Sequence, residues 1–325
     1  VRGAERLMSP LYLDLGGDHR DAVFVAGSGR SGTTWLAELI NHINHTSHTN
    51  RRDAGDGYRY VFEPFNPAEV PLARPFGYRR YMRPAEENPE LRERARRIVC
   101  GEVHGPWTDR FHRKFVARKR LIKDIRANLF LGWLAASFPE MPIVLILRHP
   151  CAVALSRVRL GWRPRLEEFL EQPDLVQDFL APVASEIRAL RTGSTGSMDF
   201  ERHVLAWCIE NYAPLAQLGP SRAHLVFYER LCESPRDELH GISRYLGTGR
   251  RDVRPEALRS PSELSRSDSA VVSGGDAVGG WRGELTGEQV RRAMNILGLF
   301  GLDRIYGASP MPDTEVAWEI VGRKS

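Results

Sequence analysis

Short apolar runs alternate with stretches of helical spacing along the chain. Residues 22–26 (AVFVA) carry no polar side chain, as expected of a strand buried on both faces. From Thr33 onward Trp35, Leu36, Leu39, Ile40 and Ile43 recur on one helical face, so a helix starts there and a glycine-rich turn precedes it. A second strand, 58–62, runs into Glu63-Pro64, where proline stops it. The spacing predicts helices at about 89–99 and 107–118, a brief strand at 121–124 and a helix over 128–138. Residues 142–147 (PIVLIL) form the clearest buried strand. It ends in Arg148-His149-Pro150, and a helix through 152–160 begins at once. Residues 165–218 read as helical around a TGSTGS loop at 192–197, followed by a strand at 224–228 and a helix at 286–300. This alternation predicts an α/β protein with a parallel sheet and helices on both faces. The polar stretch 248–280, rich in Ser, Gly, Arg and Asp, reads as a functional loop.

Composition narrows the class. The chain has 325 residues with 42% hydrophobic and 27% charged positions, an ordinary globular balance. No internal repeat or linker divides it, so one domain spanning 1–325 is expected, with a helical insertion at about 160–218 and a covering loop at about 248–283. The net charge of +5 favours anionic ligands. Arginine carries nearly all of that charge, since the only lysines are Lys114, Lys119, Lys123 and Lys324, which makes an internal Lys123 notable. Cys100, Cys151, Cys208 and Cys232 have no metal-ligand spacing and read as free thiols of a cytoplasmic protein. No apolar run is long enough to span a bilayer, and the N-terminus lacks a signal-peptide core.

The turn between the first strand and helix reads GSGRSGTT. Glycine-rich turns that aim backbone amides and a helix N-terminus at one point bind phosphate groups. Gly27, Gly29 and Gly32 permit such a turn, and Thr33 and Thr34 add hydroxyl donors. A nucleotide-triphosphatase loop would place lysine at position 33. Here the charge sits at Arg30 instead, which argues against ATP with magnesium.

These residues carry a family resemblance. Arg30-Ser31-Gly32-Thr33-Thr34-Trp35 resembles the [KR]SGTTW loop of the sulfotransferases that use 3′-phosphoadenosine 5′-phosphosulfate (PAPS), and its arginine is similar to the bacterial and carbohydrate-type branches. LILRHPCAVALSR resembles the family's second motif, in which an arginine at a strand end and a serine eight residues later hold the 3′-phosphate; here they are Arg148 and Ser156. KDIR at 123–126, FYERL at 227–231 (with Tyr228) and GGWRGELT at 279–286 follow in the family's order. The family's RKG signature is missing, and Arg266, Trp281 and Arg282 are the substitutes on offer. The resemblance covers about 22–306. It implies a P-loop-containing, three-layer α/β/α fold, PAPS as sulfuryl donor leaving adenosine 3′,5′-bisphosphate (PAP), and no required metal. Gly29, Arg30, Ser31, Gly32, Thr33, Thr34 and Trp35 would then contact the donor.

Sulfuryl transfer to a hydroxyl needs a base for the acceptor proton and cations for the leaving phosphate oxygen. Arg30 and Lys123 are the expected cations. Glu63 in VFEPF resembles the FEP glutamate of carbohydrate-type members, and His104 in EVHGPW is the other candidate base. The acceptor would be a hydroxyl of a carbohydrate, glycolipid or specialised metabolite. Tyr58, Tyr60, Phe65, Phe76, Tyr78, Trp107 and Trp162 are available to line its cleft. No nucleic-acid partner is expected, and a homodimer is allowed. His42, His45 and His48 read as a solvated helix end rather than a metal site, RRDAGDG at 51–57 as an acceptor-side loop, and RERARR at 92–97 as a solvated helix face. Two other readings stay open: a small-molecule kinase with Asp124 on magnesium, and a non-catalytic adenine-nucleotide-binding protein.

Overall fold

The computed structural model describes residues 13–45, 57–112, 116–192, 198–219, 221–248, 258 and 274–320. A five-stranded, wholly parallel sheet organises them. Its strands are β2 (Ala22–Ala26), β3 (Tyr58–Phe62), β5 (Lys119–Asp124), β6 (Ile143–Leu147) and β7 (His224–Phe227), in the spatial order β3-β5-β2-β6-β7. A separate two-stranded pair joins β1 (Leu13–Asp14) to β4 (Val116–Ala117).

Side-chain alternation along β2 divides the core in two. Val23 and Val25 face helix α1 (Thr33–His45), where Leu36, Leu39, Ile40 and Ile43 meet Leu121, Val144 and Val226. Ala22, Phe24 and Ala26 face the larger layer built from α2 (Pro89–Val99), α3 (Leu131–Ser137), α4 (Pro150–Arg159), α5 (Ala184–Thr192), α6 (Met198–Gln217) and α9 (Gly287–Gly298). Between β7 and α9 run α7 (Tyr228–Glu233) and α8 (Pro235–Tyr245), whose Leu231, Leu239 and Ile242 join the α1 layer. The last described helix is α10 (Thr314–Ile320). β2 and β6 are buried on both faces at every position, which is why they read as apolar runs, while β3 and β5 bury Arg59, Arg120, Lys123 and Asp124 among their apolar residues.

Helix ends are set by local chemistry. Pro150 occupies the first turn of α4, and His149 caps it, its Nδ1 accepting from the Cys151 amide at 3.2 Å. Thr286 and Gln289 form a reciprocal capping box at α9.

The expected helix over 107–118 does not form. Residues 105–111 are turns and 116–117 are β4. The reason lies in β3, an edge strand whose amides need acceptors. Thr108 O takes the Phe62 N–H at 2.8 Å, and His112 Nδ1 takes that of Tyr60 at 3.3 Å. A helix would turn those acceptors inward. The predicted continuous helix at 128–138 splits into a 3₁₀ turn (Asn128–Phe130) followed by α3. Within 165–218, residues 167–183 form several short helical segments rather than one helix before α5 and α6. Among the described residues no helix is long and apolar enough to cross a membrane.

Candidate functional site

The first sheet strand in the chain, β2, lies in the middle, with β5 and β3 on one side and β6 and β7 on the other. Such a switch point leaves a crevice at the carboxyl ends of the strands. Every strand end there carries a predicted site residue: Glu63 after β3, Lys123 at the end of β5, the glycine-rich turn after β2, Arg148 after β6 and Tyr228 after β7.

The turn is tied internally by Ser28 Oγ to Ser31 Oγ at 2.9 Å and by the Ser31 amide to Ser28 O at 3.1 Å. Gly32 has φ +91°, and a Cβ there would stand 2.6 Å from the Tyr228 ring, so glycine is required on both counts. Thr33 and Thr34 open α1, and both are buried. Trp35 packs edge-on against Tyr228 at 5.7 Å.

Arg30 Nε donates to Ser156 Oγ at 3.0 Å, which joins the two sequence motifs across 126 positions. Arg148 donates to Arg30 O at 3.3 Å and Ala277 O at 3.1 Å, and its guanidinium lies over the Tyr228 ring, 4.0 Å from the centroid. Its Nε is buried and has no partner among the described residues. Buried donors are normally satisfied, so this one is available to an acceptor supplied by a ligand.

On the other flank Glu63 Oε1 accepts from Lys123 Nζ at 2.5 Å, and Oε2 is bonded by Arg126. Burial pushes the Glu63 carboxyl up, but Lys123 and Arg126 outweigh it and hold the group below its usual range. Burial likewise draws Lys123 below the ordinary lysine range, against the pull of Glu63. Asp124 accepts from the Phe65 amide at 2.8 Å and the Arg126 amide at 2.7 Å, pinning the turns that carry Glu63 and Arg126. Burial pushes its carboxyl up to about 6. Trp107 Nε1 donates to Glu63 O at 3.1 Å.

Arg30 (φ +78°) and Glu63 (φ +41°) are the non-glycine residues with left-handed backbone among those described. Such conformations are costly and cluster at functional positions.

His104 stands elsewhere. Its side chain is about one third exposed, with Nδ1 3.8 Å from Asp109, and partial desolvation of the ring, with the Arg59 charge, lowers its pKa. Arg59 lies at the second position of β3, four residues before Glu63. Trp281 is buried and stacked on His149 at 4.3 Å, while Arg282 donates to Ala308 O at 2.9 Å. Arg266, residues 51–56, His48 and the His45 side chain lie outside the described residues, as does most of the 248–283 loop.

Two further side chains shape the site. Arg126 is the last letter of KDIR, so its approach to Glu63 was readable from its place beside Lys123. Arg157, fully buried, donates to Gly29 O at 3.1 Å and pairs with Glu210 at 2.7 Å, anchoring the loop to α6. Nothing in the sequence joins residues 53 positions apart in this way.

A switch-point crevice with a glycine-rich loop, two arginines and a buried donor is an arrangement suited to an anionic, phosphate-bearing compound. A family model described as the sulfotransferase family matches residues 22–252, and the chain belongs to that family. Similar solved structures include a sulfotransferase domain from the curacin biosynthetic pathway, with 15% identity, 87% of this chain and 98% of that chain covered, and a TM-score of 0.39. A mouse sulfotransferase complexed with PAP has 16% identity, 97% and 91% coverage and a TM-score of 0.39. A sulfotransferase from Mycobacterium tuberculosis H37Rv has 15% identity, 92% and 80% coverage and a TM-score of 0.38. No curated protein matches the chain.

Proposed function

We infer that the chain transfers the sulfuryl group of PAPS to a hydroxyl of a carbohydrate, glycolipid or specialised metabolite. The observation that carries this reading is the pairing of backbone strain with position. The two left-handed non-glycine residues are the loop cation Arg30 and the carboxylate Glu63, and both stand at strand carboxyl ends. PAPS brings an activated sulfuryl group on a phosphate leaving group.

The residues fit such a donor. The amides and hydroxyls of Gly29 to Thr34 suit its 5′-phosphosulfate, with Arg30 as the countercharge. Arg148 and Ser156 suit the 3′-phosphate; the unpartnered Arg148 Nε supports this, and a guanidinium can grip phosphate in two places. Tyr228 and Trp35 form the wall beside them.

Glu63 serves as base. Lys123 and Arg126 hold it ionised, so it can take the acceptor's proton on an Oε atom, although the same cations make it a weak base. Lys123 stabilises negative charge on the leaving oxygen, and its departure from Glu63 would strengthen the base. His104, ranged with Asp109 and Arg59, is the less favoured candidate. Against a kinase, both Asp124 oxygens already accept backbone amides, and the loop has no lysine.

Calorimetry with PAP and with ATP plus magnesium, on wild type and Arg148→Ala, tests the donor. PAP should bind tightly to the wild type and about 100-fold more weakly to the variant, as expected for a lost charged contact. Preference for ATP with magnesium, or an unaffected variant, would overturn the assignment.

A further inference from the structure

Phe62, the last residue of β3, has two cations on its ring. Lys123 Nζ lies 4.7 Å from the centroid and Arg110 Cζ 5.2 Å. Both distances share one centroid, so the charges stand within about 10 Å of each other. Arg110 also lies over Trp107 and Phe111, 5.1 Å from each centroid. Trp107 in turn donates to the backbone of Glu63. Arg110 is therefore held one aromatic layer from the reacting carboxylate, in a fixed relation to it.

The surroundings of Arg110 differ from those of Arg126 and Arg157. Arg126 pairs with Glu63, and Arg157 with Glu210. Among the described residues no carboxylate pairs with Arg110 and none of its N–H groups has a hydrogen-bond acceptor. A guanidinium held over aromatic rings keeps its five N–H donors for another ligand. Three cations, Lys123, Arg126 and Arg110, stand on this flank against the carboxylates of Glu63 and Asp124, which leaves it positively charged.

We propose that Arg110 recognises an anionic group, carboxylate or phosphate, on the acceptor, so that the enzyme sulfates hydroxyl compounds that already carry a negative charge a short chain away from the hydroxyl. The proposal rests on the sulfuryl-transfer reading above and specifies its acceptor. Half-burial against three rings lowers the local dielectric, which makes one charge-assisted contact there more discriminating than at an open surface. Trp107 and Phe111 supply an apolar wall for the connecting chain.

The test uses 6-hydroxyhexanoate, 6-hydroxyhexyl phosphate and uncharged 1,6-hexanediol as probes, titrated calorimetrically into the full chain with and without saturating PAP. Wild type should bind at least one anionic probe about tenfold or more tighter than the diol. The phosphate and carboxylate arms show which anion is preferred. Arg110→Gln should bring the probes within about threefold of each other, and Arg110→Lys should keep part of the preference, with PAP affinity equal in all three proteins. Equal or absent binding of the probes to wild type, or a preference that survives Arg110→Gln, overturns the proposal. Failure of PAP to bind wild type would instead strike the donor assignment, and the PAP-free titrations would still report on Arg110.

Discussion

Replacing Glu63 by Gln keeps the side chain's shape and removes its charge. Lys123, with a side chain only 3% exposed, would then face a neutral amide where it now meets a carboxylate at 2.5 Å. Removing one partner of a buried pair costs roughly 3–5 kcal/mol, because the other charge is left desolvated. Arg126, 18% exposed on its side chain, can turn to water and adds little. For a 325-residue chain the unfolding entropy is about 0.7 kcal/mol per degree, so the melting temperature should fall by roughly 4–7 °C. Turnover of labelled PAPS should fall by about 10²–10⁴, the contribution of a positioned base. Removing the lysine charge as well, in Glu63→Gln/Lys123→Met, should recover part of the stability and none of the activity. Scanning calorimetry and a sulfate-transfer assay on the same preparations read both effects. Unchanged turnover would refute Glu63 as base, and an unchanged melting temperature would refute a desolvated ion pair at this strand end.

Acid should destabilise the protein through two histidines. Burial lowers His149 and His203 to about 4, so between pH 6.5 and 4 the unfolded chain binds protons that the folded chain refuses, and stability falls with pH. Each contributes about 3 kcal/mol at the acid end, and Asp124, raised to about 6, offsets about one of them by gaining its proton in the folded state. Urea midpoints at pH 7, 5.5 and 4.5 should show the decline, and His149→Asn, which keeps a capping side chain without the titration, should flatten it. Gly32→Ala should lose roughly 2–4 kcal/mol from a strained φ and a collision with Tyr228, measured by urea unfolding, and a loss under 1 kcal/mol would mean that the loop relaxes easily.

The strands and the loop were legible because a doubly buried strand and a phosphate turn are local signals. Ala22–Ala26, Tyr58–Phe62 and the run ending at Leu147 stand where their apolar runs place them. The segment 107–118 was misread because its conformation answers to the unpaired amides of β3, which helical periodicity does not register. The bond between Arg30 and Ser156 could be anticipated only by placing two motifs on neighbouring strands. Arg157 with Glu210, and Arg110 with its three rings, depend on how distant segments pack. Trp281 illustrates the limit from the other side: a tryptophan in a conspicuous GGWRG stretch stacks on His149 rather than standing open in the crevice.

The strand order β3-β5-β2-β6-β7 has a consequence for how such an enzyme can change. Glu63, Lys123, Arg126 and Arg110 belong to the β3–β5 side, and Arg148 and Tyr228 to the β6–β7 side, with the loop after β2 as their shared boundary. Substitutions far apart and without common partners tend to act additively. If the proposed roles hold, acceptor preference can drift on one half of the sheet while the other half keeps its grip on the donor, so a single scaffold can be retargeted without relearning how to hold its phosphates.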